Sequence, residues 1–485
     1  MGPYGLEAIP QLVWTARSWC RHLEDLKAST CGINRLRPRL GSRPDDERRP
    51  QKLDLRGGYL MPGMLDQWGC PVTAGADEVA SIEAVVAGYV TMAPGMERHF
   101  GALEAGGPMA RSVLAMMLTQ SHRPQYMEKA QELCAKAKLD AEADYASGLH
   151  SRERGHLEAA AAWCAGRIDD AIDAFGEVLA DHPTDLLAIR SRYLLAFGRG
   201  RISDMLDTVC AARPAWQDQL PLSSFLDGME SFALEEQGEY RRAEVLGRQG
   251  VERNETDLWA IHAVAHVLEM ERRRPEGESW LDGRTSVLES AGGFAGHIWW
   301  HQALVLLDMG QLDKVLNLYD RRVYPNHSTE GLDLSNAVSL LTRLEIAGAD
   351  VGDRWQGLIE PVQVRHGQYS HPFNDTHYVL AMAKAGEIDA SRAHLEGMRN
   401  WAARGRQLEH PDTASGVLDE VGTAVAQGLI EYGARRGADA VAALAPVQDR
   451  IWMLGGSNAQ RGLYSQVLAD ARRMVGSGNG HPGSD

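Results

Sequence analysis

Residues 152–185 read RERGHLEAAAAWCAGRIDDAIDAFGEVLADHPTD, and their spacing decides the fold. One apolar helix ends at Gly166. A second runs through Ala171, Ala174, Phe175 and Val178 until Pro183 stops it. Gly166, Ala171, Phe175 and Pro183 supply a tight turn, a small close-packing residue, an aromatic knob and a helix stop, which are the requirements of a tetratricopeptide hairpin. The frame recurs. Gly238 and Ala243 take the turn and small positions in 224–257, and Gly310, Val315, Tyr319 and Pro325 follow in 296–325. In 372–399 Gly386 precedes a second helix, Glu387 to Met398. Segment 258–290 fits with Arg272 in place of the turn glycine, and 415–449 breaks near Gly433 to Gly437. Val, Ile and Tyr form no period-2 runs that would mark a sheet. The fold class expected is all-α, a tetratricopeptide-like helical-hairpin superhelix (α-solenoid), because one hairpin cannot bury its own apolar face.

Composition sets the outer bounds. The chain has 485 residues, 44% hydrophobic and 24% charged, with a net charge of −16. An acidic balance argues against a nucleic-acid partner. No run approaches the roughly 18 apolar residues of a membrane span. The six cysteines form no C-x-x-C pair and stop at Cys210, which reads as scattered thiols of a reducing, cytoplasmic compartment. No Walker loop, dinucleotide fingerprint, nucleophile elbow or kinase set is present. Residues 1–60 read as an N-terminal extension, not a signal peptide, with a Pro- and Arg-rich flexible stretch at 34–57. Residues 61–475 read as one helical-repeat domain and 476–485 as a disordered tail. Monomer or homodimer is the expected state.

Histidines carry the chemistry. Of 17 in the chain, His262, His266, His297, His301, His327, His366, His371 and His377 crowd one stretch. His262, His266 and Glu269 span about 60° of one helix face, and His297, His301 and Asp308 about 40° of another. Both sets fall on first helices of consecutive hairpins. In the repeat frame they line the concave groove, with Glu235 on the preceding repeat and Asp375 and His377 on a later one. An imidazole pair at i, i+4 chelates one ion, so His262, His266, His297 and His301 are candidate ligands for a divalent metal such as Fe, Mn or Zn. Without metal, His262, His266, His301, Glu269 and Asp375 suit acid–base catalysis. Structural histidines satisfied in a groove or core are the third reading. Trp300, beside His301, and Asn374 suit ligand contacts, although aromatics at helical spacing are more often packing knobs. Arg152, Glu153, Arg154 and His156 read as a capped helix start or a groove rim, and His182 to Asp185 as a helix stop.

Several words go beyond the generic repeat: ERGHLEAA (153–160), AIHAVAHVLEM (260–270), GHIWWHQALVLLDMGQLDKVLNLYD (296–320), LLTRLEIAGADVGDRW (340–355), HPFNDTHYVLAMAKAGE (371–387) and IWMLGGSNAQR (451–461). Over roughly residues 65–475 the chain resembles the tetratricopeptide-repeat protein 38 family, also catalogued as StaR-like after a protein of a glycopeptide-antibiotic cluster. The resemblance implies a helical-repeat fold and a natural-product tailoring step such as hydroxylation, which is oxygenase-like chemistry. Related sequences read GGSHAQR where this chain reads GGSNAQR, so Asn458 replaces a histidine and enters as a ligand-binding candidate. Together these readings give a His/Asp/Glu-lined concave pocket that binds, and acts on, a small polar molecule. The alternative is a non-catalytic scaffold for a peptide or partner protein, although such grooves usually carry basic clamps.

Overall fold

The computed structural model describes residues 64–143, 148–216 and 218–478. Contacts divide the chain after Pro62, and the unit described here begins at Gly63. The expected extension at 1–60, with its 34–57 stretch, lies outside the described residues, as does the tail beyond 478. The chain is all-α, a helical-repeat superhelix. The exception is a two-residue antiparallel ladder, β1 (Met64–Leu65) against β2 (Pro71–Val72). Helices α1 (Ala76–Thr91), α2 (Pro108–Thr119) and α3 (Pro124–Ala143) open the superhelix. Hairpins follow: α4 (Ser151–Cys164) with α5 (Ile168–Asp181), α6 (Leu186–Gly198) with α7 (Ile202–Ala212), and α8 (Phe225–Glu236) with α9 (Tyr240–Arg253). Next come α10 (Leu258–Met270) with α11 (Arg274–Asp282), α12 (Phe294–Asp308) with α13 (Leu312–Leu318), and the longer α14 (Gly331–Ile346). The last are α15 (Pro372–Lys384) with α16 (Ile388–Gly405), α17 (Thr423–Gly433) with α18 (Gly437–Leu444), and α19 (Asn458–Gly478). The final helix therefore continues past residue 475.

One turn builds the hairpins. Gly166, Gly238, Gly310 and Gly386 all have positive φ, between 73° and 90°. The next residue's N–H reaches back five positions to a carbonyl, as in Arg167 to Ala162, Glu239 to Leu234 and Gln311 to Leu306 (2.9–3.0 Å). This is the Schellman closure, which satisfies the helix's orphan carbonyls. Arg272 adopts the same left-handed conformation, φ 58°, and Arg273 bonds Leu268 at 2.8 Å. The break in 415–449 falls at Arg435, φ 59°, not at the flanking glycines. Those glycines allow close packing: a Cβ on Gly433 would lie 2.6 Å from that of Ala383. Ala171, Ala243, Phe175 and Val315 are fully buried between helices, as the repeat frame requires.

The superhelix curls back on itself. Thr413 N–H donates to Gly166 O at 2.9 Å, and Asn458 N–H to Glu236 Oε1 at 2.8 Å. Arg365 donates to Ser121 O at 2.8 Å, and Arg123 pairs with Glu330 at 2.6 Å. Helix α19 packs across α14 and α10. The concave side expected to be a groove is thus covered by the chain's own later segments.

Near its start, Arg152 pairs with Asp66 (2.8 Å) and Asp185 (2.6 Å), and His156 Nε2 lies 2.7 Å from Asp185. Glu153 accepts from Thr73 Oγ1 at 2.6 Å. The side chains at 152, 153, 156 and 185 are all buried, and they form an internal network tying residues 66–73 to the first hairpins. Asp185 also caps α6 through Ala188 N, a role beyond stopping a helix.

Candidate metal centre

Helix α10 sets His262 and His266 one turn apart, and α12 does the same for His297 and His301. As first helices of consecutive hairpins the two pack side by side. Each histidine offers a ring nitrogen, and these four atoms lie within 4.8 Å of one another. Ring centroids are 4.4 Å apart for His262–His266, 4.2 Å for His266–His301 and 5.0 Å for His262–His297. All four side chains are buried; His266 and His301 are fully so. They sit in the interior of the superhelix.

The outer contacts orient the rings. His301 Nδ1 lies 2.8 Å from Glu269 Oε2, and His297 Nδ1 lies 3.0 Å from Asn336 Oδ1 on α14. With the Glu269 carboxylate, which burial raises to about 7, and the Asn336 amide oxygen as acceptors, the proton sits on each Nδ1 and each Nε2 keeps its lone pair. That is the tautomer a metal ligand needs. His301 Nε2 and both nitrogens of His262 and of His266 have no hydrogen-bond partner. Burial, followed by the neighbouring imidazoles, pushes His262 and His301 well below the usual histidine range, and burial takes His297 down to about 3. The rings are therefore neutral. Buried orphan nitrogens are costly, at about 1–3 kcal/mol each. A metal ion is the group that satisfies several at once, and this cluster can hold one.

Carboxylates adjoin it. Glu235, fully buried on α8, brings Oε2 to 3.3 Å from His266 Nδ1 without the alignment of a hydrogen bond, and both its oxygens lack partners. Burial pushes its carboxyl up to about 8. Glu235, Glu236 and His266 form a second convergent group. Glu236 is already engaged: it accepts from Asn458 N, and Arg461 lies 3.2 Å away. Asn458 Nδ2 donates to Glu236 O at 3.2 Å, and Arg461 donates to Asn458 Oδ1 at 2.7 Å. Asn458 is thus a clamp on the helix end that carries Glu235.

Trp300 is fully buried, stacked on His297 at 5.3 Å and 12°, and edge-on to His301 at 4.9 Å. Its Nε1 has no partner. Asp375, Asn374 and His377 are not drawn into the group by any contact among the described residues. Asp375 binds His394 Nε2 at 2.9 Å, and His394 Nδ1 lies 3.2 Å from His366 Nδ1. Asn374 accepts from Ser335 at 3.0 Å, and His377 Nδ1 bonds Phe373 O at 2.8 Å within its own helix. Asp308 pairs with Arg274 instead, at 2.7 Å. Sequence reasoning missed Asn336, Glu236, Arg461 and Phe232, whose ring lies 5.0 Å from both His262 and His266. The repeated helix spacing that exposed the histidines carries no signal for these.

No family model matches the chain.

Proposed function

We propose that this chain is a metal-dependent protein in which His262, His266, His297 and His301 hold one divalent ion, and that the centre acts on a small polar molecule. The observation that carries this reading is the convergence of buried imidazole nitrogens without partners, two of the rings oriented by Glu269 and Asn336. An imidazole-dominated donor set suits iron or zinc better than manganese, which prefers oxygen ligands. When bound, such an ion supplies Lewis acidity and, if it is iron, the redox capacity that a hydroxylation requires. Glu235 stands 3.3 Å from His266, and its raised carboxyl suits proton transfer near neutral pH. The resemblance to the tetratricopeptide-repeat protein 38 family supports a tailoring role such as hydroxylation. The peptide-scaffold alternative has less support, because α19 and the 412–461 segments cover the concave side.

Elemental analysis of the purified protein tests the reading. About one iron or zinc per chain is expected, lost in His262→Ala and His301→Ala while helical content by circular dichroism is kept. Absence of metal after anaerobic reconstitution with iron(II) and with zinc overturns it.

A further inference from the structure

A second convergence of partnerless buried groups surrounds Arg190 on α6. Arg190 is 2% exposed, its Nε has no hydrogen-bond partner, and no ion pair to it forms among the described residues. Tyr89, Tyr193 and Asp257 act on it electrostatically; Asp257 Oδ1 is committed to capping α10 through Trp259 N (2.9 Å) and Ala260 N (3.1 Å), and its Oδ2 is buried without a hydrogen-bond partner. The guanidinium instead lies between aromatic rings, 4.5 Å from the centroid of Trp259 and 5.8 Å from that of Tyr89. The hydroxyls of Tyr89 and of Ser191, the next residue on α6, are also buried and face each other, with no further partner. Donors and one positive charge therefore accumulate here with no hydrogen-bonded anion: burial pushes the Asp257 carboxyl up to about 7 and its free oxygen forms no ion pair with Arg190. A buried unpaired charge is among the more expensive features a fold can carry, and cation–π contacts return only about 1–2 kcal/mol each.

The place of this group gives it meaning. Trp259 is also 5.5 Å from His262, and Phe294, stacked on Trp259 at 5.3 Å, is 5.2 Å from His262 and 5.3 Å from His297. An aromatic wall thus runs from Arg190 to the histidine cluster. We infer that Arg190 is the carboxylate-binding residue of a subsite beside the histidine centre, and that the molecule acted on is a monocarboxylate with a flat, apolar or aromatic body. A single guanidinium offers a planar pair of N–H donors that matches a carboxylate and balances one negative charge. A phosphate dianion would leave one charge buried and unbalanced. This inference rests on the small-molecule reading above and names the substrate class for it.

Benzoate and its uncharged isostere benzamide are the probes, titrated calorimetrically into the full chain, with and without bound metal. Benzoate should bind at least tenfold more tightly than benzamide. Arg190→Met should remove at least tenfold of the benzoate affinity with metal content unchanged, and Arg190→Lys should give an intermediate loss. If Arg190→Met fails to fold, Arg190→Lys alone decides, since a tenfold loss there reports the lost pair of parallel hydrogen bonds. Equal affinity for the two probes, no benzoate binding, or unchanged benzoate affinity in Arg190→Lys overturns the inference. Arg190-dependent benzoate binding by a protein that never retains metal would sink the metal reading and leave this one standing. Retained metal without charge discrimination would do the reverse.

Discussion

At the residue scale, the proposed metal centre rests on atoms outside the four candidate ligands. Glu269 and Asn336 fix the tautomers of His301 and His297. Glu269→Gln and Asn336→Leu should each lower metal affinity about 10- to 100-fold, read by competition with a coloured chelator. The four histidines were legible because i, i+4 pairs on two consecutive first helices point to one space. Asp375 and His377 were not separable from them in the repeat frame, since α14 lies between α12 and α15 in the stack and no local pattern announces it. Arg190 was illegible for another reason: lacking a partner is a property of three dimensions. A separate residue-level test concerns Asp185. Burial alone would raise its carboxyl, but Arg152 and His156 outweigh that and hold it well below the ordinary carboxylate range. Its stabilisation is complete above the unfolded-state value of about 4 and is lost as pH falls toward the depressed folded value. Asp185→Asn should cost about 3–5 kcal/mol at neutral pH and show a smaller further loss below about pH 4 than the parent. Thermal melts from pH 7 to 2 measure both.

At the element scale, the hairpin turn is the unit that sequence reading recovered best. The Gly-to-small-to-aromatic spacing maps onto one backbone geometry, and Arg272 occupies the same left-handed turn as the glycines. A non-glycine residue pays roughly 1 kcal/mol there. Arg272→Gly should therefore stabilise the protein by about 0.5–1 kcal/mol, while Gly310→Ala, at φ 73°, should destabilise it by a similar amount. Urea midpoints at constant m-value compare the two. Lengths were less legible: α16 runs to Gly405, well past the Met398 expected from periodicity. Its final turns are held by packing around Ala402 and Gly405, and the Cβ of Ser415 would meet any side chain placed at Gly405 at 2.4 Å.

At the scale of the whole molecule, the repeat frame gave the succession of hairpins but not their closure. Closure rests on a few long-range contacts, chiefly Asn458 and Arg461 on Glu236, which have no signature in local spacing. Open solenoids contact only their neighbours and can unfold piecewise. The closed one should unfold as a unit, with near- and far-ultraviolet circular dichroism transitions coinciding. Arg461→Met leaves Glu236 buried without its cation and should cost about 3–5 kcal/mol, with the near-ultraviolet signal lost first. The same latch bears on how the centre is supplied. Asn458 and Arg461 lie downstream of all four histidines, so a nascent chain displays its imidazoles before the segment that covers them has been made. On the proposed metal reading, delivery has a natural window during synthesis, and a chain matured without the ion should take it up only slowly, as its last helix releases.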